Sequence, residues 1–239
     1  MVVTTVHGKL HKSRLKSKIL AHRKAGEFAH SAVFRSSLQQ KESKRTAVRF
    51  ARDKQYTTEN GEEIKMKVDI LKYPTEEDWL LVKKCTLVTV GKETDKPATE
   101  KFKRDLLRSR HSPIRELRFL FHLTDIPYWV SVHLCRHVHA QPYVRTQRND
   151  RQSDYDRTKA PQDAPVDMMW SVNGEELITI ANKRLCNLAS KETKQLVKMI
   201  CKAVIEVCPE FKDELVPVCV RNGGVCYEMF PCGERKKDG

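Results

Sequence analysis

The chain has 239 residues, 39% hydrophobic and 32% charged, and a formal net charge of +14. That length supports one domain with a real core, or one domain with an appendage, and excludes a peptide or a large modular protein. The longest apolar stretches, such as the one around Ile126 to Leu134, fall far short of the roughly 20 residues a bilayer crossing needs, so no span is expected. The opening Met1 to His7 lacks the apolar core and cleavage site of a secretory signal, which predicts a cytoplasmic protein whose eight cysteines are thiols rather than staples.

The positive charge is concentrated at one end. Residues 1–54 hold 14 Lys and Arg against three acids, leaving 31 bases and 28 acids for the other 185 residues. The body is therefore nearly neutral, and the segment from Met1 to about Tyr56 is a polar arm with no sustained apolar period and a weak helix over Ser13 to Ala25. Two readings of the arm stay open: a surface that holds nucleic acid through charge, and a solvated tail with no partner. A third concerns its origin. Gly61, Glu62 and Glu63 precede Met66, and such a tripeptide can be encoded by a purine-rich ribosome-binding sequence, so translation starting at Met66 is also an expectation. Residues 1–65 are read as a flexible basic extension and 66–239 as the folded domain, ending in a cysteine-rich tail over 208–239.

Met66 to Leu71 makes a natural first strand, and Thr75 with Asp78 three residues on caps a helix over Glu76 to Lys84. Cys85 to Val90 is rich in β-branched residues and predicts a strand. Pro97 to Arg110 predicts a charged surface helix that Ser112-Pro113 breaks. Leu117 to Leu123 alternates as a strand with one buried face. Asp125 is expected to cap a helix from Ile126 to Arg136, and Asn173 with Glu176 to form a capping pair for Gly174 to Leu188. Ser190 opens Lys191 to Val207, whose Leu196, Val197, Ile200 and Val204 share a face, and Pro209 ends it.

The densest chemistry lies where the Asp125 helix ends. Arg136, His137, His139, Arg145, Arg148 and Arg151 fall within 16 residues, interleaved with Tyr143, Thr146, Gln147 and Asn149. Arginine forks match phosphate oxygens in two-point geometry and the hydroxyl and amide add donors, so the loop suits a phosphorylated ligand. A solvated basic loop has the same composition. No cysteine sits in an obviously activated setting, and Cys208, Cys219, Cys226 and Cys232 are weak zinc candidates because their spacings lack a two-residue knuckle.

The order of these residues resembles the flavin-dependent thymidylate synthases, whose signature is Arg-His-Arg, seven residues, Ser, and Arg two positions on. Here it reads Arg136-His137-Val138, seven residues, then Thr146-Gln147-Arg148. Ser112-Pro113-Ile114-Arg115-Glu116 is similar to the family's Ser/Thr-Pro-Phe-x-His segment, and Trp170 to Asn173 with Lys183 to Cys186 is similar to its Val-Asn and Arg-Leu region. The resemblance covers Met66 to about Val207. It implies an α/β (α+β) fold, with a mostly antiparallel central sheet flanked by helices, in a homotetramer that methylates dUMP to dTMP. FAD would be the cofactor, with methylenetetrahydrofolate and NADPH as co-substrates.

Carried over, Arg184 matches the arginine that polarises the uracil ring; Thr146, Gln147 and Arg148 match the dUMP-phosphate loop, completing a neighbouring subunit's site; and Arg157 matches a further dUMP contact. Ser112, Arg136, His137, Asn173 and Thr179 match FAD-contacting positions. Each has a plainer alternative: Asn173 as a helix cap, His137 as a satisfied partly buried histidine, Arg157 as a surface residue. The chain departs from the pattern at Val138, which replaces the third member of Arg-His-Arg, and at His133, Val144 and Thr146, which replace a glutamine, a glutamate and a serine. Those departures leave open one-carbon transfer to another pyrimidine nucleotide, or an inactive relative whose basic arm binds nucleic acid.

Overall fold

Alternation of large apolar with smaller or polar residues makes the sheet. The computed structural model describes residues 66–148, 150–151, 156 and 158–234, and the backbone of the short strands at 48–49, 56–57, 63–64 and 236–237. The expected arm helix over 13–25 and Arg157 lie outside the described residues, as does any nucleic-acid contact of residues 1–46. Three two-residue strands, β1 (Val48–Arg49), β2 (Tyr56–Thr57) and β3 (Glu63–Ile64), precede β4 (Lys67–Lys72). The helices α1 (Glu76–Val88) and α2 (Glu100–Arg108) and a 3-10 turn over Ser112–Glu116 lead into β5 (Arg118–Pro127). Then come α3 (Tyr128–Cys135), β6 (Ala140–Val144), β7 (Pro165–Asn173), α4 (Gly174–Arg184) and α5 (Lys191–Val207). A 3-10 turn at Pro209–Phe211, the one-turn α6 (Val218–Arg221), β8 (Val225–Cys226) and β9 (Lys236–Lys237) close the chain.

The main sheet has the order β1-β4-β5-β7-β6, and every neighbouring pair is antiparallel. Residues Ala47–Gly239 make up one compact unit, so the sheet's edge strand β1 comes from a stretch that composition alone groups with the basic arm. On β5 and β7 the side chains of Phe119, Phe121, Leu123, Met168, Trp170 and Val172 are fully buried, while Leu120, His122, Met169 and Ser171 between them are half-exposed. That period-two pattern leaves one sheet face for the helices to cover, and α5 brings Leu196, Val197, Ile200 and Val204 to the same core. The result is the expected α+β class.

Two local expectations need correction. Cys85 to Val90 is not a strand: α1 continues through Val88, and the Thr86 hydroxyl donates to the Val82 carbonyl at 2.9 Å, which lets a β-branched residue sit inside the helix. Asp125 does not cap a helix. β5 runs on to Pro127, and Asp125 has a positive φ of 54° at a shift of register against β7, between Leu123 and Ile126. α3 then starts after Pro127 with no side-chain cap. Ser190 does open α5 at Lys191, as expected, with its hydroxyl donating to Thr193 Oγ1 rather than accepting a backbone amide.

Other local signals hold. Thr75 and Asp78 form a reciprocal capping box at α1, with Thr75 N donating to Asp78 Oδ2 at 2.7 Å. Among the described residues no helix is long and apolar enough to cross a membrane.

Candidate active site

The ends of α3 and α4 meet. Asn173, at the end of β7, is buried and its Oδ1 accepts the Glu176 amide at 2.8 Å, which starts α4 and fixes where its side chains project. At the other end of that helix, Arg184 is the last helical residue. Opposite, α3 stops at Cys135, Arg136 is its C-cap, and the His137 amide donates to the Leu134 carbonyl at 3.2 Å.

The imidazole of His137 lies between two groups of α4. Its Nδ1 is 3.0 Å from Glu176 Oε1, and Arg184 Nε donates to its Nε2 at 3.4 Å. Long side chains on a helix lean toward its N-terminus, which is how Arg184 reaches a ring that Glu176 also holds from two turns earlier. A ring that accepts from an arginine at Nε2 must carry its proton on Nδ1, so the Glu176 contact is a donation from His137 to a carboxylate. One turn earlier on α3, His133 Nδ1 is 3.1 Å from Thr193 Oγ1 of α5.

The electrostatics agree with a neutral ring. Burial lowers the pKa of His137, the Glu176 carboxylate works against that, and the Arg184 and Arg136 cations lower it further. His133 is also lowered, by burial first and then by Arg184 and Arg136. Arg184 itself is pressed below the ordinary arginine value by burial and by the charge of Arg136. Two cations close enough for one to lower the other suit an electron-rich group.

Of the sequence-expected residues, then, Arg136, His137 and Arg184 come together. Thr179 does not join them: its hydroxyl receives a hydrogen bond from Arg110 Nη2 at 2.6 Å and donates to the Glu175 carbonyl at 3.0 Å. Arg110, whose φ is +54°, also pairs with the Glu175 carboxylate at 2.9 Å. Ser112 is exposed at the start of the 3-10 turn.

In the loop after β6, Thr146 and Arg148 are exposed and Gln147 is half-buried. Arg148 is clasped by Asp150, Nε to Oδ1 at 2.9 Å and Nη2 to Oδ2 at 2.6 Å. Val138 is 80% exposed where the family pattern has an arginine. The cysteines Cys208, Cys219, Cys226 and Cys232 are not gathered as ligands: no three His, Cys, Asp or Glu side chains converge among the described residues.

Sequence reasoning missed Glu176, His133 and Arg110. Glu176 looks like half of a capping pair, and only the approach of α3 turns its carboxylate to His137; the signal available was an acid three residues beyond an Asn cap, which points to the cap and not to the histidine.

Residues 153–210 match the family model described as thymidylate synthase complementing protein. No curated protein matches the chain. Among solved structures, Thymidylate Synthase X from Helicobacter pylori, solved with FAD and dUMP, superposes with a TM-score of 0.51 at 16% identity, covering 62% of this chain and 99% of that one. The fold is that of Thymidylate Synthase X. The matched family segment spans β7, α4 and α5, the elements that carry Asn173, Glu176 and Arg184, and includes Arg157. Family model and fold thus support the resemblance to the flavin-dependent thymidylate synthases, at a divergence that 16% identity measures.

Proposed function

We propose that the chain is an FAD-dependent thymidylate synthase that methylates dUMP to dTMP, with methylenetetrahydrofolate as carbon donor and NADPH as reductant, working as a homotetramer with shared sites. The observation that carries this reading is the convergence of Arg136, His137 and Arg184 from two helix ends.

The residues present fit a flavin nucleotide and a pyrimidine monophosphate. Arg136 and the exposed Ser112 hydroxyl are donors for an anionic or carbonyl-rich ligand, and Glu175 Oε2 is a buried acceptor with no partner among the described residues. FAD, when bound, would supply the redox chemistry, with NADPH as the source of reducing equivalents. The chain's part is to bind, orient and polarise. Arg184, a permanent cation in a partly buried place, stabilises negative charge developing on the uracil ring and so makes C5 more nucleophilic. Thr146, Gln147 and Arg148 hold the dUMP phosphate, with Arg157 as a further contact, and the phosphate displaces Asp150 from Arg148.

No thiol is needed to attack the ring. In keeping with that, burial pushes the Cys201 thiol up to about 12 and raises Cys208 as well, with Glu210 adding to the rise at Cys208.

The deciding experiment is anaerobic incubation with dUMP, methylenetetrahydrofolate and NADPH, followed by the mass of the nucleotide product. A product heavier than dUMP by one CH2, a ring hydrogen replaced by methyl, supports the reading, and Arg184→Ala should abolish it while FAD stays bound. Unchanged dUMP, or full activity in that variant, overturns it. The exposed Val138 favours a second reading: a different pyrimidine nucleotide, or a hydroxymethyl product, which the same mass measurement separates. A colourless protein that shifts DNA only while residues 1–65 are present would instead mark an inactive relative with a nucleic-acid-binding arm.

A further inference from the structure

Glu176 is a carboxylate 94% buried inside the folded unit, and burying a charge is costly unless a partner justifies it. Its position three residues after the Asn173 cap would let it fold back on the cap, the ordinary use of an acid there. It does not do so. The Asn173 side chain takes the Glu176 amide, but the Glu176 carboxylate points across to His137 Nδ1 at 3.0 Å. The far nitrogen of the same ring faces Arg184 Nε at 3.4 Å. Three side chains thus form a row in which only one proton arrangement is consistent: carboxylate, Nδ1–H, bare Nε2, guanidinium N–H.

We infer that Glu176 is a positioning residue for the reaction, one that fixes the His137 tautomer and through it the orientation of Arg184. This rests on the proposed thymidylate synthase reading. With Nε held by His137, Arg184 presents its two terminal amino groups without a partner among the described residues. An imidazole free to place its proton on Nε2 would confront the Arg184 N–H with another N–H and turn the guanidinium away. The same conflict arises when His137 takes up a second proton. The groups that face the ring are Glu176 and Arg184 from α4 and Arg136 from the end of its own helix.

The test uses the full chain with Glu176→Ala and Glu176→Gln. An amide oxygen still accepts from Nδ1–H, so Glu176→Gln should keep most of the activity, whereas Glu176→Ala should lose on the order of 10- to 100-fold in kcat, the loss typical when the partner that orients a working histidine is removed. KM for dUMP should change less, because the phosphate is held elsewhere. The acid limb of the Glu176→Ala profile should move to lower pH, since a carboxylate that favours the charged ring is gone, a shift that general loosening of the fold would not produce.

Nitrogen-15 NMR of the histidines gives a readout besides turnover. In the wild-type protein His137 should carry its proton on Nδ1, and in Glu176→Ala it should not. Wild-type kcat and an unmoved acid limb in Glu176→Ala would overturn the inference, and so would a wild-type ring protonated on Nε2. If the wild-type protein makes no methylated product, the functional reading fails, and the tautomer in the two spectra still decides whether Glu176 sets the ring.

Discussion

The indole N–H of Trp79 donates to Glu210 Oε1 at 2.7 Å, joining residues 131 apart in sequence in a buried contact. Trp79 also lies beneath the Lys103 ammonium, 5.8 Å from its ring, and Lys103 pairs with Glu76 and Glu100. One aromatic side chain of α1 thereby ties α2 and the 3-10 turn after α5 to the core. Trp79→Phe keeps most of the apolar bulk and leaves the Glu210 carboxylate without that donor. The expected cost is about 1–3 kcal/mol, the penalty for a buried acceptor stripped of its partner. A urea unfolding midpoint equal to that of the wild type would refute it.

Gly174 admits no side chain without movement. A Cβ there would lie 3.0 Å from the Ile114 carbonyl oxygen and 3.4 Å from Leu117 and Phe211, and the Gly174 amide already donates to Leu117 at 2.8 Å. Gly174→Ala should destabilise the fold by about 1–3 kcal/mol, as overpacking commonly does. Because it sits at the start of α4, it should also weaken dUMP binding through displaced Glu176 and Arg184. Thermal melting and calorimetric titration with dUMP measure the two effects separately.

The lowered histidines give the pH dependence its sign. His133 and His137 both have folded pKa values below 6.5, so between that value and their depressed values the unfolded chain binds protons that the folded one refuses. Stability is then complete above about pH 6.5 and falls as the pH drops through that window, flattening once the folded rings protonate. Denaturant midpoints measured from pH 8 to 5 should decline, and His137→Gln should reduce the decline. A flat profile would contradict the assignment.

Asp150 competes with the anion that Arg148 is proposed to bind. The pair is more than half exposed on both sides, so it contributes at most about 1 kcal/mol. Asp150→Asn should therefore tighten binding of dUMP by no more than about fivefold, and weaker binding in a titration would show that Asp150 supports the loop instead.

Much of the fold is legible locally. The Thr75–Asp78 box needs only two residues in reach of each other, and the bounds of α5 follow from its apolar face and from Pro209. Cys85 to Val90 misleads because strand propensity is a weak prior against a helix whose previous turns, through Trp79 and Val82, are already buried. The positive φ of Asp125 belongs to a register shift between two strands about 40 residues apart, which no local pattern encodes. The site divides the same way. Arg136, His137 and Arg184 can be picked out by type and spacing, whereas the partner of Glu176 depends on where α3 comes to rest.

The pairing of Val48–Arg49 with Asp69–Ile70 bears on any version of the protein that begins at Met66. Such a chain would keep every residue of the proposed catalytic machinery and yet bare the edge of β4 at Asp69 and Ile70, an open template for another strand. Its hazard would be self-association rather than loss of chemistry, and gel filtration of the two lengths side by side would reveal it.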